Sequence, residues 1–519
     1  MGYRTISLKL PTDYDEEMLR ERIGRTLGLT DFSYTIEHKS LDACRKSDIH
    51  WLVRVGVASE QIEGGASETP APLCIPHVGP GRKALVVGSG PAGFFAALVL
   101  QKAGVQTTLI ERGSDVDTRA EGIRTFEKTG AFNPSCNYAF GEGGAGTFSD
   151  GKLTSRSKHI GRERQFILAS YIRAGAPGEI AYMAHPHLGS NNLRRIVKRL
   201  REEFLALGGR MQFDTMLEGL TIERGRVIEA VTSSGHVEVD CYVVAPGHSA
   251  HETYRMLIGR GVPFRTKNFA IGCRVEHPQE LINLAQWGRT SLPGVKAAEY
   301  RLTFNSQGHL PVYTFCMCPG GAVIPATAYV NTNVVNGMSF YRRAGRFANA
   351  ACAAAVNLES LLGRPIAPAE ALDWLGSLER SFYEYANGFA APACRITEFV
   401  NRKAPSDVPE SSYPLGLKPA SLWEMLPPQI GSAIREALAS FARKIKGFET
   451  GTILGLESKT SSPLQAVRDA TGLCSGFENL YLVGEGSGYA GGIISSAADG
   501  IKAAMRIAES MAGSRARRS

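Results

Sequence analysis

At 519 residues the chain is long enough for two or three domains and a sizeable buried core. Its 43% apolar and 21% charged residues match ordinary globular usage, which excludes disorder, collagen-like repetition or a disulfide miniprotein as descriptions of the whole. The net charge of +8 is mild at this length; it favours anionic ligands without making nucleic acid an expected partner.

The first sixty residues read as a small α+β module. Residues 6–10 alternate like a half-buried strand and stop at Pro11, and Asp13 and Asp15 offer caps for a helix over 16–27 that closes at Gly28. Residues 32–37 and 49–57 read as two further strands, with a basic stretch between them (39–46) taken as a solvated connection. Residues 61–82, rich in Gly, Pro, Ala and Ser without a sustained period, read as a linker.

The strongest signal follows. A short apolar strand at 83–87 runs into Gly88-Ser89-Gly90-Pro91-Ala92-Gly93, then a helix over 94–103, then a strand over 107–110 that ends at Glu111. Together these make the βαβ dinucleotide fingerprint in its full context. Gly88 permits the tight turn, Gly90 lets backbone approach a pyrophosphate, and Gly93 lets helix and strand pack closely. The helix N-terminus supplies free N–H groups for the phosphates. Residues 140–151, which include Gly143, Gly144 and Asp150, are too glycine-rich for a regular element and suit passage of backbone along a flat ligand or its phosphates, with Asp150 and Lys152 beside it. A salt bridge between those two is the plainer alternative. A strand over 239–244 ends in a turn at Gly247, and one over 479–483 ends at Gly484 and Glu485. A second glycine cluster (486–492) then opens a helix over 493–512. The expected fold class is α/β: a Rossmann-type FAD-binding domain built from both chain ends (83–264 and 456–519), an inserted α+β substrate domain (265–455), and the N-terminal module (1–60). Within the insertion, strands are predicted at 300–304 and 311–315 and helices at 344–362 and 369–385.

On these residues the sequence resembles the glutathione-reductase-type FAD flavoprotein superfamily. More narrowly, it resembles a bacterial family known only as uncharacterised FAD-dependent dehydrogenases. The closer match is carried by 140–153, His185-Pro186-His187-Leu188-Gly189, Phe315-Cys316-Met317-Cys318-Pro319-Gly320-Gly321, and 457–463 together with 483–500. The resemblance implies FAD as cofactor. It places Glu111 on the adenosine ribose, Arg112 beside the adenine and Leu217 against the adenine through backbone. It also sets Glu485, where the superfamily usually has Asp, at the FAD linker, and Gly492 and Ile493 under the flavin, where a helix dipole stabilises reduced-state charge.

The implied activity is an FAD-dependent oxidoreductase acting on a small-molecule substrate. A flavin monooxygenase or halogenase-like enzyme and an FAD-containing RNA-binding protein are the alternatives. No second GxGxxG in strand–helix context follows between 264 and 455, so NAD(P)H remains an open electron partner. Cys316 and Cys318 are candidates for a thiol acid, nucleophile or substrate contact, with small buried strand-end residues as the alternative. His187 is a candidate proton donor or a cap for a helix over 191–207. Arg395 and Glu398 read as a substrate anchor or an ion pair, and Tyr489 as a cavity wall or a packed aromatic. Ten scattered cysteines without a CxxC pair, no secretory core and no apolar run long enough for a membrane span predict a reduced, cytoplasmic setting without a metal site.

Overall fold

The computed structural model describes residues 2–66, 71–405, 407 and 409–516. The N-terminal module is an antiparallel sheet with His50–Ser59 at its centre, flanked by Gly2–Leu10 and Ser33–Asp42. The helix Glu16–Leu27 is capped by the Asp15 side chain and closed by Gly28 in the left-handed region. Part of the basic stretch is not solvated. Lys39 lies over the rings of Tyr14 and Trp51, at 4.4 and 4.5 Å, and its backbone pairs with Tyr182 and Ala184 at 2.8 Å each. In the linker, residues 67–70 lie outside the described residues, but Val78 is buried and its N–H donates to the Ala103 carbonyl.

A five-stranded parallel sheet holds the dinucleotide fingerprint. Its order is Leu480–Leu482, Cys241–Val244, Lys83–Val87, Gln106–Ile110 and Arg210–Gln212, so a strand from the C-terminal end completes the sheet beside one from the middle of the chain. The C-terminal helix Ile493–Ala516 crosses the helix Pro91–Lys102 with no room to spare, for a Cβ on Gly500 would lie 2.0 Å from the Ala92 carbonyl oxygen.

Residues between these parts build an eight-stranded mixed sheet. Here several expectations fail. Residues 344–362 were predicted helical from their alanines, yet Phe347–Val356 is a strand. It pairs with Phe269–Pro278 on one side and Val312–Pro325 on the other, and Ala348–Ala354 are all buried. Small side chains let it pack at the sheet centre, and tertiary burial overrides alanine's helix propensity. Only Leu358–Leu362 is helical, started by the Asn357 side chain. The strand expected to end at 315 runs on to Pro325, and only Thr303–Phe304 of 300–304 is extended. The Pro319-Gly320-Gly321 run, which by composition reads as a sharp turn after the two cysteines, therefore stays within the strand. The register passes from Phe315↔Ala351 to Cys318↔Asn349 to Gly321↔Phe347, so two bulges absorb one extra residue each and keep Pro319 inside the strand. The expected division at 264/265 falls inside the short strand Phe264–Thr266.

Candidate functional site

Four glycine turns converge at the C-terminal edge of the parallel sheet. Gly88 has φ +93°, and a Cβ there would lie 2.3 Å from the Ala245 carbonyl oxygen. On Gly93 a Cβ would lie 1.9 Å from the Gly88 carbonyl oxygen. Gly90 is different. At φ −63° its backbone suits any residue, and the nearest atom to a Cβ is the Gly144 Cα, 3.8 Å away. The helix that begins at Pro91 has no side-chain cap, so its first N–H groups remain for a ligand. Gly143 and Gly144 both have positive φ, and a Cβ on Gly146 would press on the Ile493 side chain at 3.3 Å. Gly484 leaves space for Ala92, Gly247 lies against Gly486, and the turn at Gly492 is open to solvent on its Cβ side. An uncapped helix start rimmed by glycines from four segments is a cradle that side chains would fill, and these residues fit the diphosphate and ribityl chain of FAD.

Arg119, which sequence reasoning missed, shapes the cradle. Its fully buried guanidinium donates to the carbonyls of Asn137, Tyr138, Gly141, Glu142 and Gly144, and burial lowers it to about 10. Glu111 is buried and already accepts from the Ser89 N–H and hydroxyl and from the N–H groups of Gly113 and Gly141. Arg112 stacks on Phe140 at 3.8 Å and pairs with Glu252 at 3.2 Å. Leu217 starts a strand and sits in the core beside Val87 and Ile110.

A second cluster forms where the bulged strand meets the glycine loop. Lys152 reaches Asp150 at 2.5 Å and the Met317 carbonyl, while Arg343 and Ser339 also bond Asp150. Although buried, the Asp150 carboxyl is held well below the usual range by Lys152 and Arg343. Lys152 thus bonds the cysteine strand, and the salt bridge named as the plainer alternative is present. Cys316, half-buried, occupies the first bulge with φ +45°, and Cys318 is fully buried. Behind them lies Arg274, also missed. It bonds the Cys316 carbonyl at 3.0 Å, Asn349 at 2.7 Å and Glu457 at 3.2 Å, and approaches the Cys318 sulfur at 3.7 Å. The signal for it was a charge in the middle of a strand, Phe269–Pro278, whose residues up to Val275 are otherwise uncharged. The Cys318 hydrogen bond, Lys152 and Arg274 together bring the Cys316 thiol down to about 6 against burial, whereas Cys318 is pushed up. Burial lifts Glu457 to about 7 despite Arg274, and Glu485 to about 7 despite Lys267; the charge of Cys316 raises both.

His187 lies at the edge of this cluster. Its Nε2 meets the Tyr341 carbonyl oxygen at 3.0 Å, and burial with Arg343 nearby lowers it to about 4. It does not cap the next helix, Gly189–Ala206, which starts from Leu188. Glu398 accepts from the Arg395 backbone N–H as a helix cap, while the Arg395 side chain pairs with Asp407 at 2.9 Å, so the two are neither a mutual ion pair nor part of this site. Tyr489 is exposed, with the Arg468 guanidinium 4.1 Å from its ring centre.

The family described as "FAD-dependent protein, C-terminal domain-like" matches residues 268–460, and "FAD binding domain" matches 82–127. An uncharacterised protein of Clostridium beijerinckii is 37% identical over 542 residues, spanning 98% of this chain and 99% of the relative. Among solved structures, a geranylgeranyl bacteriochlorophyll reductase-like protein of Thermoplasma acidophilum is 13% identical, with 83% and 80% of the two chains covered and a TM-score of 0.38. The L-proline dehydrogenase of P. horikoshii is 12% identical, with 84% and 94% covered and a TM-score of 0.36. Scores this low leave the chemistry to the site itself. The family matches make the cofactor FAD and leave the narrower glutathione-reductase-type placing unassigned. Among the described residues, no helix is long and apolar enough to cross a membrane.

Proposed function

The chain belongs to the same family of FAD-dependent proteins as the Clostridium beijerinckii relative, and from that premise we propose that it is an FAD-dependent oxidoreductase acting on a small organic molecule at the Cys316 strand. The observation that carries the proposal is geometric: the uncapped helix start at Pro91 is rimmed by glycines, and Lys152 joins the glycine loop to the cysteine strand by bonding both Asp150 and the Met317 carbonyl. The FAD would lie along the glycine cradle in the glutathione-reductase manner. Gly88, Gly90, Pro91, Ala92, Gly93, Gly143 and Gly144 would hold the diphosphate, with Gly247, Gly484, Glu485, Gly492 and Ile493 along the ribityl and ring end. Glu111, Arg112 and Leu217 would take the adenosine. When bound, FAD supplies reversible two-electron exchange with an organic substrate.

The chain's own groups would do the rest. Lys152 and Arg274 place positive charge at the cysteine strand, Asp150 fixes Lys152, and Glu457 is poised to hold or release a proton near neutral pH. His187 is neutral there and its Nε2 is engaged by a carbonyl, so it serves the site through Tyr341 and not as the main proton carrier.

The test is spectroscopic. Purified full-length protein should carry one FAD per chain, and Cys318→Ser should retain it while shifting the flavin spectrum or reduction potential. If spectrum and potential stay unchanged, and substrate-like ligands fail to protect Cys316 from labelling, the reaction cavity lies elsewhere.

A further inference from the structure

Two thiols with unlike surroundings sit two residues apart on one bulged strand. Cys316 is half-buried at the first bulge; Cys318 is enclosed, and its sulfur lies 3.3 Å from the Cys316 carbonyl oxygen. Cations approach from both flanks. The Lys152 ammonium bonds the carbonyl of Met317, the residue between the thiols, and the Arg274 guanidinium bonds the Cys316 carbonyl and approaches the Cys318 sulfur. The opposing charges are Asp150, occupied by Lys152 and Arg343, Glu457, occupied by Arg274, and Glu485, which Lys267 offsets. The remaining cysteines differ: Cys44 and Cys74 are exposed without such cations, and the others are buried.

We propose that Cys316 is a nucleophilic thiolate that reacts with hydrogen peroxide, and that Cys318 is its resolving partner. The Cys316 sulfur attacks one peroxide oxygen, the O–O bond breaks, and hydroxide leaves, giving a sulfenic acid. The Cys318 sulfur then attacks the Cys316 sulfur. An S–S bond forms, the S–O bond breaks, and the oxygen departs as water with the Cys318 proton. The two sulfurs together lose two electrons, and one peroxide becomes hydroxide and water. A small neutral oxidant suits a half-buried thiol, and the resolving sulfur stands two residues along the same bulged strand, 3.3 Å from the Cys316 carbonyl oxygen. Glu485 and, beside the glycine loop, Asp150 and Lys152 are shared with the proposed FAD and substrate site, but the labelling and mass readouts need no flavin chemistry, so failure here is distinguishable from failure of that reading.

The experiment uses the full-length protein. Iodoacetamide labelling across pH 5–9, read by peptide mass spectrometry, should show half-maximal labelling of Cys316 near pH 6. At that pH it should outpace an ordinary exposed thiol such as Cys74 by about tenfold, a large excess of thiolate partly offset by lower nucleophilicity. Lys152→Met and Arg274→Gln should each move the midpoint upward. Hydrogen peroxide should remove two hydrogens from the wild-type mass, reversibly with dithiothreitol, whereas Cys318→Ala should instead trap a dimedone-reactive sulfenic acid at Cys316. A labelling midpoint above about pH 8, preferential oxidation of Cys44 or Cys74, or a wild-type sulfenic acid beside an unreacted Cys318 would each overturn the proposal. Cys318→Ala and Lys152→Met keep the test open if Arg274→Gln fails to fold.

Discussion

Gly90 and Gly93 belong to one motif but are glycine for different reasons, and substitution separates them. At Gly90, φ −63° and ψ 175° admit alanine without strain, and the new methyl would meet only Gly144 at 3.8 Å. Gly90→Ala should therefore leave the FAD-free chain as stable as wild type within about 1 kcal/mol, with a slight gain from the stiffer unfolded chain. The same methyl stands over the uncapped start of the helix, where diphosphate oxygens need to reach N–H groups. FAD at a hundredfold excess over its Kd should stabilise the wild type by about 2.7 kcal/mol, and the variant should lose most of that. At Gly93 the methyl would lie 1.9 Å from the Gly88 carbonyl oxygen, so backbone must move, and Gly93→Ala should cost about 1–3 kcal/mol with or without FAD. Urea unfolding of both variants with and without added FAD reads both effects. Unchanged FAD stabilisation in Gly90→Ala, or a loss of more than about 2 kcal/mol in its FAD-free form, would refute the geometry of the cradle.

Arg119→Met should remove five bonds to the loop and strip the carbonyls of Asn137 and Tyr138 of their guanidinium donor, while those of Gly141, Glu142 and Gly144 keep bonds from Gly144 and Thr147; the cost should be about 3 kcal/mol and most FAD retention, measured by unfolding and by flavin content after gel filtration. His187, with a folded-state value near 4 against an ordinary 6.5, binds fewer protons folded than unfolded between those values. Its contribution to stability is therefore present above about pH 6.5 and lost as pH falls towards 4; His187→Gln should reduce the difference in urea midpoint between pH 7.5 and 5.0. Burial-raised Glu457 works in the opposite sense: stability present below about pH 4.5 is lost as pH rises through 7, so Glu457→Gln should steepen the net rise of stability with pH over that window, visible in the same titration. With a single dinucleotide turn in the sequence, NADH or NADPH alone should reduce the flavin at less than about 10 per second in stopped flow, and faster reduction would reveal an unrecognised nicotinamide site.

The cradle was legible because each glycine sits at a strand end, and strand ends announce themselves by short apolar runs. Even the closing strand, Leu480–Leu482, was visible from its neighbours, since a strand-to-acid step beside a glycine cluster at the far end of the chain has few other uses. The inserted sheet was less legible. Its central strand is written in alanine, whose local preference is helical; only the two flanking strands, one ending 22 residues before it and one ending 69 before it, make it extended. The same non-local pairing hid the shape of Cys316–Gly321. A Pro-Gly-Gly run reads as a turn until a partner strand holds it straight and the surplus residues become bulges.

Those bulges explain why the two missed arginines carry so much of the site. Extra residues tilt carbonyls out of the ladder, and a tilted buried carbonyl must find another donor. At the Cys316 bulge that donor is Arg274, and at the tightly turned loop 137–144 it is Arg119; each supplies several N–H groups from one side chain. A lysine could satisfy fewer of them with its three rotatable donors. In the cradle the guanidinium fixes backbone for a ligand to lie against. At the cysteine strand a second one does the same structural work while adding the charge that draws a proton off Cys316. The chemistry assigned to that thiol is thus a consequence of the donors its irregular backbone requires, and that is why it could not be read from Cys-x-Cys alone.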